Sequence, residues 1–192
     1  MNIGVFSGSF NPIHIGHVIL GNYIVEYTDV DEVWFLVSPH NPLKEADSLL
    51  DENTRLEMVK LALRKYDKLI ASDFEFSMPT PSYTIGTLDA LSAKYPEQNF
   101  TLIIGGDNWE VFENWRDYDR LLQNYKLKVY PRIDSRISIS GKLRNQVEAL
   151  DSPIIEISST FIRDGIKDHK DVRSFLPDGV YEYIIERKLY NK

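Results

Sequence analysis

An α/β fold is what this sequence predicts: a doubly wound parallel sheet with helices on both faces, built as one domain. Three observations carry the prediction. Short apolar runs alternate with segments of helical periodicity along the whole chain. One run, Leu102-Ile103-Ile104, is uninterrupted, as suits a strand covered on both faces. The length of 192 residues fits a single domain with a substantial core.

Taken in order, strands are expected at Ile3–Phe6, Val33–Val37, Leu69–Ala71, Phe100–Ile104, Leu127–Tyr130 and Ile154–Ile157. Helices are expected at Gly16–Tyr27, Glu52–Tyr66, Tyr83–Tyr95, Asp117–Tyr125 and Gly141–Leu150. In the second helix Leu56, Val59 and Leu63 recur at helical spacing, and Asp51 is placed to cap the start. Ile85, Leu88 and Leu91 repeat the pattern after Ser82. Strand–helix alternation of this kind builds a parallel sheet, and ligands gather beyond its carboxyl ends. The long connections Ser38–Asp51 and Asp73–Ser82 follow strands and should rim that crevice.

Composition excludes several classes. The chain has no cysteine, which removes disulfides, thiolate catalysis and cysteine metal sites. It shows neither a signal-peptide pattern nor an apolar run near the ~18–20 residues of a membrane helix. A formal net charge of −7 disfavours non-specific binding to nucleic acid or anionic membranes. A cytoplasmic protein without nucleic-acid or membrane partners is expected, and a homo-oligomer is left open. Any anionic ligand needs a local site.

The stretch Gly8-Ser9-Phe10-Asn11-Pro12-Ile13-His14-Ile15-Gly16-His17 supplies one. It joins the first strand to the first helix, where backbone N–H groups and the helix start favour phosphate. His14 and His17, three apart, can face the same side, and Gly16 lets a phosphate approach the backbone. Taken alone, such a pair is more often surface or packing. No cysteine or nearby carboxylate completes a metal set around it. A second phosphate-type turn is Ile157-Ser158-Ser159-Thr160-Phe161-Ile162-Arg163. There Ser159 or Thr160 can cap a helix and donate to phosphate, and Arg163 follows one turn later with a planar fork. A third stretch, Ile104-Gly105-Gly106-Asp107-Asn108-Trp109, allows close backbone approach, and Asp107 can accept from ribose hydroxyls. Between Lys126 and Arg144, six basic residues stand against one acid, Asp134. Most read as a solvated face, with Arg132, just after a strand, the candidate for a phosphate.

With these residues in view, the sequence resembles the His-x-Gly-His nucleotidyltransferases, whose signature is close to Gly-x-Phe-Asp/Asn-Pro-x-His-x-Gly-His. Within them it resembles the bacterial nicotinate-mononucleotide adenylyltransferases, through Pro81-Ser82-Tyr83-Thr84-Ile85-x-Thr87-Leu88, the Trp115 segment and Pro42-Leu43-Lys44. The resemblance runs from residue 2 to about 190. It implies a Rossmann-like fold and transfer of AMP from ATP to nicotinate mononucleotide, giving deamido-NAD and pyrophosphate. It implies His14, His17 and Arg163 as the catalytic set, and Gly8, Ser9, Phe10, Gly16, Gly105, Asp107, Ser159 and Thr160 at ATP. It implies Lys44, Tyr83, Thr84, Trp115 and Arg132 on the acceptor, and Mg²⁺ held mainly through substrate phosphates. In that family the Ser-Tyr-Thr turn meets the nicotinate carboxylate and an aromatic stacks on the pyridine ring.

The sequence departs from the pattern in three places. Asn11 replaces the commoner Asp, Gly86 stands where Asp is usual, and Asn41-Pro42-Leu43-Lys44 replaces Pro-Pro-His-Lys, leaving the role of His40 open. Two other readings stand beside the main one: transfer to another acceptor, nicotinamide mononucleotide or phosphopantetheine, and a non-catalytic nucleotide sensor. Such a sensor should first lose the His pair or Arg163, and both are intact.

Overall fold

The computed structural model describes residues 1–39 and 49–191. Among the described residues six strands form one sheet: β1 (Asn2–Gly8), β2 (Glu32–Val37), β3 (Leu69–Ser72), β4 (Asn99–Gly105), β5 (Lys126–Tyr130) and β6 (Val147–Ala149). Their order is β3-β2-β1-β4-β5-β6, and every neighbouring pair is parallel. Parallel neighbours need crossovers, which the helices supply. These are α1 (Ile15–Tyr27), α2 (Glu52–Leu63), α3 (Thr84–Lys94), α4 (Gly106–Glu110), α5 (Tyr118–Asn124), α6 (Ser159–Lys167) and α7 (Val180–Glu186).

Two apolar clusters show how the sheet is covered. On one face Val18 and Ile24 of α1, Met58 and Val59 of α2, Ile162 of α6 and Ile184 of α7 pack with Phe35 and Val37. On the other, Ile85, Leu88 and Leu91 of α3 and Leu121 of α5 pack with Ile3, Val5, Leu102 and Val129. Helices therefore lie on both faces of one domain in a Rossmann-like arrangement. The chain winds outward from β1 through β2 to β3, then returns to place β4 on the other side of β1. At this reversal the connections leave the sheet in opposite directions and open a crevice at the carboxyl strand ends.

Most expected elements form within a few residues of their predicted bounds, and Asp51 caps α2 by accepting from the Thr54 amide at 2.9 Å. Two predictions fail together. Residues 154–157 are not a strand, and 141–150 are not a helix. That second segment holds a 3-10 turn, Gly141–Leu143, followed by the edge strand β6. Val147 is buried against β5 while Glu148 and Ala149 stay exposed, so three residues complete the sheet. Ile154 is instead exposed, and Ile157 packs on the core as the chain enters α6.

Candidate active site

The first turn follows directly from β1. Ser9, Asn11 and His14 are buried although polar, in a turn contacted by Leu50, Ser159, Arg163 and Tyr190. His14 is the N-cap residue of α1 and His17 is its third residue. Their imidazoles stack with centroids 3.6 Å apart and 27° between planes. Nδ1 of His17 accepts from the His14 amide at 3.2 Å, which leaves Nε2 to carry the proton of the neutral ring. His14 is only 5% exposed, and its Nδ1 has no hydrogen-bond partner among the described residues. Burial, helped by the positive charge of Arg132, lowers its pKa to about 4. His14 is thus a neutral, desolvated ring facing the cavity, and His17 is braced between it and Phe10.

Gly16 has a steric reason beyond ligand access: a Cβ there would press on the His14 ring at 3.1 Å and on Ile155 at 3.2 Å. Phe10 lines the same cavity and is also part of the core. Its ring is 3% exposed and packs among Phe6, Phe35 and His17. Its φ of 45° is unusual for a non-glycine residue and turns the backbone toward the site.

The second turn is stitched to the first. Ser158, rather than Ser159 or Thr160, caps α6 by accepting from the Phe161 amide. That frees Ser159 Oγ to donate to the Pro12 carbonyl at 2.8 Å. Arg163 Nη1 donates to the Asn11 carbonyl at 2.9 Å, and Nη2 donates to Thr160 Oγ1 at 3.1 Å. Residues about 150 positions apart in sequence therefore line the same cavity.

Gly105 ends β4 and leads into α4. A Cβ at Gly105 would displace the Asp107 carboxylate and crowd the Tyr130 ring at 3.1 Å, so glycine lets both side chains lie close at this wall. Arg132 lies beside it, its Nε 3.9 Å from Asp107 and its guanidinium over Tyr130. The cluster places Arg132 with Asp107, on the β4–β5 side. The other basic residues of that stretch do not join it: Lys128, in the middle of β5, is buried and pairs with Asp29 at 2.7 Å and with Glu148.

Tyr83, Thr84 and Trp115 also line the cavity. Tyr83 is the N-cap residue of α3 and has no side-chain cap bond, leaving the first amides of the helix to other partners. Trp115 packs on Phe112 with its Nε1 buried and without a hydrogen-bond partner among the described residues. A Cβ at Gly86 would meet nothing within 4 Å, so the missing Asp removes no packing contact here. Lys44 and His40 lie outside the described residues.

Three residues that hold the site escaped the sequence reading. Arg55 is 0% exposed and, among the described residues, donates to main-chain carbonyls. Nε donates to Leu50 (2.8 Å), Nη1 to Ser9 and Ser38 (2.7 Å each), and Nη2 to Pro39 (3.0 Å). A cation on the apolar stripe of α2, three and four positions before Met58 and Val59, was the available signal. Glu75, also buried, accepts from Thr87 Oγ1 at 2.9 Å, and burial raises its pKa. Arg116 lies over the Tyr83 ring at 4.5 Å.

Together these walls enclose an open cavity of about 840 Å³. Imidazoles, hydroxyls and guanidiniums converge from two chain ends at the switch point of a parallel sheet, as an enzyme that handles polyphosphate requires. The family described as cytidylyltransferase-like matches residues 5–165. A protein of Flavobacterium johnsoniae named as a nicotinate-nucleotide adenylyltransferase is 46% identical, with all of both chains covered. One of the same name from Bacteroides fragilis is 50% identical over 96% of this chain and 91% of its own. The chain belongs to this nicotinate-nucleotide adenylyltransferase family within the cytidylyltransferase-like nucleotidyltransferases. Its fold is shared by the Plasmodium falciparum nicotinic acid mononucleotide adenylyltransferase complexed with NaAD. That match has TM-score 0.81 and 19% identity, and it covers 99% of this chain and 97% of the other.

Proposed function

We infer that this protein transfers AMP from ATP to nicotinate mononucleotide, releasing deamido-NAD and pyrophosphate. The observation that carries the reading is the convergence of His14, His17 and Arg163 on one cavity that also reaches Tyr83, Thr84 and Trp115. Family membership supplies the acceptor's identity.

A phosphate oxygen of the mononucleotide attacks the α-phosphorus of ATP, and the bond from that phosphorus to the bridging oxygen of pyrophosphate breaks. The nucleophile is already anionic at neutral pH, so no protein base is needed. Catalysis rests on alignment and on stabilising charge in the transition state. His17 and His14 donate to phosphate oxygens, with His14 neutral before ATP arrives. Ser159, Thr160 and Arg163 hold the departing pyrophosphate end. Gly8, Ser9 and Gly16 present backbone, and Gly105 and Asp107 receive the nucleoside with Arg132 alongside. The first amides of α3 take the nicotinate carboxylate, and Trp115 stacks on the ring.

The donor set fits Mg²⁺ carried in on the phosphates. Mg²⁺ readily keeps its waters and binds through phosphates. When bound it supplies neutralisation of phosphate charge. No described helix is long and apolar enough to cross a membrane, and a cytoplasmic location belongs to the same proposal.

The deciding experiment is pyrophosphate release from ATP with nicotinate mononucleotide, nicotinamide mononucleotide and phosphopantetheine offered separately. Release with the acid mononucleotide at least tenfold faster than with the others is expected. Equal release with phosphopantetheine, or none with any acceptor, defeats the assignment.

A further inference from the structure

The C-terminal segment touches the site in a way that the transfer chemistry does not use. Beyond α7 the chain passes through Lys188 and Tyr190, both with positive φ (53° and 64°). Non-glycine residues adopt that conformation at a cost and keep it where surrounding contacts impose it. Here the Tyr190 ring, partly buried, packs against the core cluster to which α2 and α6 contribute. Its hydroxyl donates to Oδ1 of Asn11 at 2.8 Å, across 179 positions of sequence. Burial raises the phenol's pKa, against the opposing pull of Arg163 and Arg55, so the hydroxyl stays protonated and able to donate.

Asn11 is held from both ends. Its carboxamide receives Tyr190 and, at 3.4 Å, the Leu50 amide, while its main-chain carbonyl receives Arg163 Nη1 at 2.9 Å. The side chain is 5% exposed, so water cannot freely replace a lost partner. A guanidinium anchored on a loop carbonyl is placed only as well as that carbonyl. We propose that Tyr190 is a positioning residue of the phosphate site, acting through Asn11 on Arg163. The proposal rests on the adenylyltransferase reading for its kinetic consequence, but its geometric content concerns pyrophosphate binding alone.

Tyr190→Phe keeps the ring and removes only the hydroxyl. Its kcat, its inhibition constant for pyrophosphate and its thermal midpoint should be compared with wild type, alone and combined with Arg163→Lys. Direct titration with pyrophosphate in the absence of acceptor accompanies them. The expected result is a kcat lower by roughly 3- to 30-fold and pyrophosphate affinity weaker by a similar factor. In the Arg163→Lys background the same change should move neither quantity more than twofold, because coupled residues are non-additive. A merely structural tyrosine would shift the thermal midpoint and leave both quantities alone, which overturns the proposal. So does an effect of equal size in both backgrounds. Should Tyr190→Phe fold poorly, Asn11→Ala leaves the phenol in the core and interrupts the same link, and the same outcomes apply. A wild-type chain that binds pyrophosphate yet transfers no AMP defeats the functional reading alone, and the cycle is then read on pyrophosphate affinity.

Discussion

The imidazoles of His14 and His17 lie stacked 3.6 Å apart, and the backbone amide of the first donates to the ring of the second. The geometry assigns them different duties. His14 is largely buried at the cavity wall and neutral, while His17 is partly exposed and has its tautomer set by the bond it accepts. His17→Ala should lower kcat by roughly 10²–10³-fold, the usual loss for one preorganised donor. Its packing against Phe6 and Phe10 adds a modest stability cost. Steady-state kinetics with a melting curve checks both, and turnover within threefold of wild type would remove His17 from the transition state.

Arg163 uses two nitrogens on two different oxygens, Asn11 O and Thr160 Oγ1. Lysine keeps the charge but cannot reproduce that fork. Arg163→Lys should therefore lower kcat by at least tenfold and weaken pyrophosphate product inhibition with it. Inhibition at the wild-type level in this variant would place the arginine away from the leaving group.

Trp115 presents an aromatic surface at the cavity wall. Stacking of a ring on an aromatic side chain contributes about 1–3 kcal/mol, and each ~1.4 kcal/mol is tenfold in affinity. Trp115→Ala should raise the mononucleotide KM by roughly 5- to 150-fold and leave the KM for ATP within about threefold. Varying each substrate separately tests this. An equal rise in both constants would make Trp115 a packing residue of the Phe112 cluster.

His14 predicts an acid sensitivity of the fold. Its pKa falls from 6.5 to about 4 on folding, so below pH 6.5 the unfolded chain takes up a proton that the folded chain refuses. The stability is present in full above pH 6.5 and is lost as the pH falls toward 4. At pH 5 the loss from this one ring is about 2 kcal/mol. Urea unfolding at pH 7 and pH 5 should show it in wild type and show it greatly reduced in His14→Gln. An unchanged pH dependence in that variant would mean the ring is hydrated.

The two turns that meet at the cavity were readable because their polar residues sit in unbroken stretches, residues 8–17 and 157–163, each at the end of an apolar run. The central strands were readable because burial on both faces demands continuous apolar sequence. Strand β6 was not, since three residues with one buried side chain carry almost no periodicity. Ile154–Ile157 has strand composition, but composition cannot show that Val147 already occupies the edge beside β5. The supports of the site were harder still. Asn11 reads as a variant in a signature, yet it joins Tyr190, Leu50 and Arg163. Those contacts depend on how distant segments fold together, which no local pattern encodes.

Arg55 also determines which parts of this rim can open alone. Pulling away Ser9, Ser38, Pro39 or Leu50 removes a carbonyl from a guanidinium with 0% exposure. Each acceptor lost leaves a buried donor of a cation unpaired, at a cost of about 1–3 kcal/mol or more, a sizeable share of the 5–15 kcal/mol that typically holds a whole domain. Partial opening at these points therefore gains little over unfolding outright. Backbone amides on either side of them, in β1, β2 and α2, should exchange with deuterium on one shared timescale, close to that of the sheet interior. The ligand-facing edge of the crevice thus behaves as part of the most protected unit in the molecule.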